Sequence, residues 1–136
     1  MSAAEVFFDT NVALYLLSAD AAKADRAEEL LAAGGTISVQ VLNEFSAVAL
    51  RKLGMTWPEI REVLAQIRAV CSVEPLSVET HDRATVLAER HGLSVYDSLI
   101  VAAALLAGCR TLYSEDMQHR QVFEGRLTIQ NPFKAG

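Results

Sequence analysis

The sequence predicts an α/β domain built on a mostly parallel sheet. Short apolar runs alternate with helical patterns along the whole chain, hairpin signals are few, and no repeat, low-complexity tract or linker divides it. At 136 residues the chain reads as one domain, residues 1–136, large enough to bury most of its apolar surface in a single core. Apolar residues make up 51% and charged residues 21%, a globular balance that argues against a disordered chain.

Val6-Phe7-Phe8 reads as a short buried strand, and Asp9-Thr10-Asn11 lead into a helix through Val12, Leu16 and Leu17. Ser18 and Asp20 restart the chain, and Ala21–Ala33 is helical with Leu30 and Leu31 facing inward. Gly34-Gly35 stops that helix, as C-terminal glycines do. Thr36-Ile37-Ser38 is the second strand, with Ser38 placed to cap the next helix. That helix carries Val41, Leu42, Phe45, Val48 and Ala49 on one face and ends at Gly54.

Thr56-Trp57-Pro58-Glu59 is a capping-box start with an early proline, and Ile60, Val63, Leu64 and Ile67 then share one helical face. Ser72–Pro75 is a third short strand. Ser77 opens a helix closed by His91-Gly92, and Ser94 opens the apolar helix Val95–Ala107, which Gly108 ends. Arg110–Tyr113 is a strand, and Leu127-Thr128-Ile129 is expected as an edge strand before Asn131-Pro132.

A formal charge of −5 gives no general basic footprint, so any nucleic-acid contact has to come from a local patch. Arg51-Lys52, Arg83, Arg90, Arg110 and Arg120 are the candidates. Cys71 and Cys109 lack metal-ligand spacing and read as reduced core thiols. Glu5 stands where a secretory signal needs a basic start, and the longest apolar run, Leu99–Cys109, falls short of the ~20 residues that span a bilayer. A soluble, cytoplasmic protein without a membrane partner is expected.

Acidic residues carry the functional signal. Asp9 closes an apolar strand, Glu44 sits between Val41 and Val48 on an apolar helical face, Asp97 stands at the mouth of the most apolar helix, and Asp116 follows Thr111-Leu112-Tyr113. Carboxylates are rarely buried unless they are paired or bind a metal. Each also has a plainer role open to it. Asp9 is a good N-cap, Glu44 can be a solvated flank with Asn43 as a polar partner, Asp97 fits a capping box opened by Ser94, and Glu115-Asp116 can be turn residues.

In parallel sheets the ligand crevice lies beyond the carboxyl ends of the strands, and this order of elements can bring all four acids there. Two like charges about 4 Å apart repel by roughly 4 kcal/mol at an effective dielectric near 20, so such a cluster calls for a cation. Oxygen donors without cysteine or histidine partners point to Mg²⁺ or Mn²⁺. His81, His91 and His119 form no paired ligand motif and read as surface or cap residues. The chemistry that suits this set is phosphodiester hydrolysis, and the chain holds no Gly-rich phosphate loop and no G-x-S-x-G.

Phe8-Asp9-Thr10-Asn11, Asn43-Glu44, Tyr96-Asp97 and Ser114-Glu115-Asp116, in this order and at these separations, resemble the PIN-domain ribonucleases. Length and order are most similar to the VapC-type toxins of bacterial toxin–antitoxin pairs, over essentially the whole chain. The resemblance implies a three-layer α/β/α sandwich and a Mg²⁺- or Mn²⁺-dependent endoribonuclease. It makes Asp9, Glu44, Asp97 and Asp116 the catalytic, metal-binding acids and Thr10, Asn11 and Ser114 their polar supports. It also implies homodimers, a small cognate antitoxin and an RNA substrate, often transfer RNA.

Gln118 stands where many relatives carry a further acid, and Glu115 competes with Asp116 for the fourth place. Two other readings remain open. One is a non-catalytic domain that binds RNA or a partner through the same groove. The other is a haloacid-dehalogenase-like phosphatase, which would need a second acid where Asn11 stands.

Overall fold

The structure, a computed structural model, describes residues 5–134. Its organising element is strand β1 (Val6–Phe8), every residue of which is buried. The chain then runs through helix α1 (Thr10–Leu14), extended by a single 3-10 turn over Tyr15–Leu17, and helix α2 (Ala21–Ala32). Strand β2 (Gly35–Ser38) comes next, then α3 (Val39–Lys52), α4 (Trp57–Val70) and β3 (Cys71–Glu74). The last part comprises α5 (Val78–His91), α6 (Val95–Leu106), β4 (Thr111–Tyr113), β5 (Val122–Phe123) and β6 (Leu127–Gln130).

The sheet has the order β3-β2-β1-β4-β6-β5, and every pairing is parallel except β5 with β6. The chain steps outward from β1 to β2 to β3, then returns across the sheet to place β4 on the other side of β1. Right-handed crossovers therefore put α1–α4 on one face and α5–α6 on the other. The result is the expected three-layer α/β/α architecture with a mostly parallel sheet.

Phe7, Phe8, Ile37, Phe45, Ile100, Leu112 and Ile129 fill the core between the layers. Helix α6 is buried along nearly all its length, from Ser98 to Leu105, which explains its lack of a polar face. No helix among the described residues is long and apolar enough to cross a membrane.

Three expectations need correction. Gly34 ends α2 with a positive φ of 88°, but Gly35 is the first residue of β2, not part of the stop. A Cβ there would lie 2.6 Å from Phe8 Cε2, so the glycine exists to let the Phe8 ring approach the neighbouring strand. Strand β3 begins at Cys71 and leaves out Pro75, which has no N–H to give a ladder.

Leu127–Ile129 lies inside β6, and β6 is interior: the edge is β5, which the sequence reading missed. The three residues 124–126 join the pair, with Glu124 and Gly125 both at positive φ and the Arg126 N–H donating to the Phe123 carbonyl at 3.1 Å. Glutamate is a poor signal for such a turn. Here its carboxylate is held by Arg83 of α5 at 2.6 Å.

Candidate functional site

The site begins at the middle of the sheet. Strands β1 and β4 are neighbours, in register from Val6–Thr111 to Phe8–Tyr113, and the chain leaves β1 toward β2 on the opposite side. That reversal is the point at which open α/β sheets form their ligand crevice. The first residues past the two strand ends are Asp9 and Ser114, tied by the Asp9 N–H donating to the Tyr113 carbonyl at 2.9 Å.

Asp9 is buried, at 5% exposure, and its carboxylate is held on both oxygens. Oδ1 accepts from the Thr10 N–H at 2.7 Å. Oδ2 accepts from the Ser114 hydroxyl at 2.7 Å and the Asn11 amide at 3.3 Å. It serves as the N-cap residue of α1 as well, so cap and site residue coincide. Burial pushes its pKa up from 3.8 to about 7, against the hydrogen bonds from Ser114 and Thr10, and the charges of Asp97 and Glu44 push in the same direction.

The other three acids arrive from three different elements. Glu44, half-buried on α3, accepts a hydrogen bond from Gln40 Nε2 at 3.2 Å; its pKa is raised by burial and by Asp97 and Asp116. Asp97, in the first turn of α6, is raised by burial and then by Asp116. Asp116 is exposed and receives the Asn11 amide on Oδ2 at 3.0 Å. Asn11 bridges Asp9 and Asp116, and Glu44 shares a cleft with Tyr96, the chain neighbour of Asp97, so the four acids border one crevice.

Asn11 and Ser114 knit the crevice together. The Asn11 amide donates to Asp9 and to Asp116, while its oxygen accepts the Glu115 N–H at 3.2 Å. Ser114, fully buried, gives its proton to Asp9 and accepts the N–H groups of Asp116 and Met117, both at 3.2 Å. Asn11 and Ser114 therefore each bond an acid of the crevice directly. Thr10 reaches Asp9 only through its main chain, because its hydroxyl is buried without a hydrogen-bond partner.

The plainer alternatives resolve residue by residue. Ser94 Oγ accepts the Asp97 N–H at 3.1 Å, but the reciprocal bond of a capping box does not form. The Ser94 side chain lowers the proton affinity of the Asp97 carboxylate, against the raising effects of burial and Asp116. Glu44 takes Gln40, one turn earlier, as its partner, and Asn43 is exposed instead.

Glu115 points away from the crevice. It accepts the Tyr15 hydroxyl and pairs with Lys23 at 3.3 Å. Gln40, Tyr15 and Lys23 were not singled out in the sequence; only the one-turn spacing of Gln40 and Glu44 could have suggested the first. The histidines stay outside the crevice. His91 packs edge-on against Phe123, and His119 Nδ1 accepts the Asn131 N–H at 3.0 Å, so these two are structural side chains rather than surface or cap residues.

No lysine or arginine among the described residues pairs with any of the four acids. Nor does any group of three or more His, Cys, Asp or Glu among them stand arranged to enclose a metal ion. Like charges spread apart when nothing compensates them, and a strongly hydrated cation needs only one or two direct carboxylates. The donors are all hard oxygens, which fits such an ion and does not fit zinc.

A parallel-sheet domain with an acidic crevice at its central switch point is a recognisable class. The chain belongs to the PIN domain family, whose pattern it matches over residues 6–124. It is similar in structure to a toxin–antitoxin complex from Klebsiella pneumoniae, with 19% identity over 96% of this chain and 99% of that one and a TM-score of 0.71. It is similar to Mycobacterium tuberculosis VapC20, described as a toxin that cleaves the sarcin–ricin loop, with 25% identity over 82% and 89% and a TM-score of 0.67. Rickettsia felis VapBC2, bound to a DNA fragment from its promoter, gives 20% identity over 93% and 98% and a TM-score of 0.64. A search of curated protein sequences finds no significant match.

Proposed function

We propose that this protein is a Mg²⁺- or Mn²⁺-dependent endoribonuclease and the toxin of a VapBC-type pair, with a small antitoxin as partner and a homodimer as its assembly. One observation carries this reading. Asp9, Glu44, Asp97 and Asp116 come from four separate parts of the chain to one crevice, where burial and mutual repulsion raise the proton affinity of the first three. Membership of the PIN family and likeness to an RNA-cleaving toxin support it.

Asp9 and Asp97 would hold the ion, with Glu44 and Asp116 completing the negative charge around it. When bound, such an ion polarises the scissile phosphate and lowers the pKa of a water. The chain's own residues prepare the place. Ser114 and the Thr10 N–H fix the Asp9 carboxylate, Gln40 steadies Glu44, and Asn11 keeps Asp116 close to Asp9 without adding charge. In the overall reaction a water oxygen bonds to phosphorus and the bond to the 3′-oxygen breaks. The products are a 5′-phosphate and a 3′-hydroxyl.

A phosphatase working through an aspartyl phosphate finds no support, because Asn11 is committed as an amide donor between two carboxylates. The test is cleavage of RNA by the purified chain. Asp9→Asn and Asp97→Asn should each lower the rate on the order of 10³-fold or more with the fold retained. Full activity in both variants, or undiminished activity in excess chelator, would overturn the mechanism. RNA binding without any metal-dependent cleavage would favour the non-catalytic reading. Growth arrest that needs Asp9 and is relieved by an adjacent small reading frame tests the toxin role.

A further inference from the structure

Beside the acids lies a cleft of about 480 Å³, whose lining includes Gln40, Asn43, Glu44, Ala47, Arg51 and Tyr96. From the cleft and these side chains we propose that it is a subsite for one unpaired nucleotide next to the scissile phosphate, with Tyr96 stacking on the base and Arg51 holding the following phosphate. The inference deepens the nuclease reading and rests on it for the position of the phosphate.

Helix α3 supplies one wall. Gln40, Glu44, Ala47 and Arg51 succeed one another at spacings of four, three and four residues, which is one helical face. Ala47, the small residue of that stripe, leaves the hollow. Tyr96 supplies the opposite wall from the start of α6, and it is 63% exposed although its neighbour Asp97 belongs to the acid crevice. An exposed aromatic ring costs hydration free energy unless something covers it, and a base face is a flat cover of the right size.

Charge points the same way. Glu44 is both an acid of the crevice and part of the cleft, so a phosphate held at the acids leaves the adjoining nucleotide over Ala47. Arg51 lies seven residues beyond Glu44, about 10 Å along the helix. It is exposed and makes no ion pair among the described residues. In a protein of net charge −5, a free arginine at the far rim of an acid-bearing cleft is a phosphate contact placed where repulsion would otherwise dominate. Exposed Asn43 adds an amide able to meet a base edge. Bases in an A-form duplex are stacked on one another and present no face to a side chain, so the Tyr96 contact is open only to an unpaired base.

Fluorescence anisotropy with a labelled single-stranded 12-mer RNA and its duplex, in Mg²⁺, tests the assignment in the Asp9→Asn background. Gels of the same samples report whether the RNA stays intact. Adding Tyr96→Ala should weaken single-strand binding about 5- to 100-fold, the range of one aromatic–base stack, while Tyr96→Phe keeps it. Arg51→Ala should weaken binding and lower the salt slope by about 0.7, as one lost phosphate contact does, and Tyr96→Ala should leave that slope unchanged. Duplex RNA should bind more weakly than the single strand.

Binding indifferent to Tyr96 and Arg51, equal binding of duplex, or no RNA binding at all overturns the subsite and leaves the cleft to a peptide partner. Failure of the nuclease reading looks different: the protein with Asp9 intact would leave RNA uncleaved under chelator-free conditions while the Tyr96 dependence of binding survived.

Discussion

Glu115 is the chain neighbour of Asp116, yet it and the four crevice acids are treated in opposite ways. Glu115 is neutralised: Tyr15 and Lys23 both reach it, and Lys23 also sits over the Tyr15 and Phe133 rings, at 4.7 and 5.7 Å from their centres. The carboxylates of Asp9, Glu44 and Asp116 receive neutral donors only, and no lysine or arginine among the described residues pairs with Asp97. A paired charge fastens α2 to the loop after β4. An unpaired cluster costs folding free energy, and a protein that retains one has a use for it.

The largest expected effect is the cost of the unpaired cluster itself. The folded protein holds the Asp9 proton more tightly than the unfolded chain does, with a pKa of about 7 against 3.8. Stability from this group is therefore complete below about pH 4, declines as pH rises, and is gone above about 7. A displacement of that size is equivalent to ~4 kcal/mol. Without divalent metal, Tm should fall between pH 5 and 8, and Asp9→Asn should flatten the fall. Added Mn²⁺ should raise Tm more at pH 8 than at pH 5. A Tm independent of pH across that range would show that the cluster is not strained.

Next in size is the support beneath it. Ser114→Ala removes the strongest lowering influence on Asp9 and leaves the N–H groups of Asp116 and Met117 without their acceptor. Losing such buried bonds costs about 1–3 kcal/mol. Urea unfolding at pH 6 should register that loss, and the Asp9 titration should move to higher pH. An unchanged midpoint would mean that the hydroxyl is incidental to the crevice.

How far this contrast was legible in the sequence depends on how local its causes are. Asp9 and Asp116 stand just past strand ends, so the alternation of strands and helices was enough to send them to one crevice. Asp97 was readable as a first-turn residue of α6, but the missing half of its capping box was not. The choice between Glu115 and Asp116 was closed to sequence, because Tyr15 and Lys23 come from the other end of the chain. Strand β5 was hidden for a similar reason: Arg83, far away on α5, holds Glu124 in the turn that makes the hairpin.

The smallest effect is the most discriminating, because it separates adjacent residues. Glu115→Gln keeps an acceptor for Tyr15 and loses only the charge facing Lys23, a pair about one-third exposed on each side. Such solvent-screened pairs contribute little, so a slightly lower Tm is expected, with the Mn²⁺-induced rise intact. Asp116→Asn should do the reverse. It relieves repulsion on Glu44 and Asp97, leaving Tm without metal unchanged or higher, and it shrinks the rise that Mn²⁺ produces. Thermal melts of the two variants with and without Mn²⁺ decide the matter. If Glu115→Gln diminished the metal response more than Asp116→Asn, the fourth acid would be Glu115, and the tether to Lys23 would be a resting state that the ion displaces.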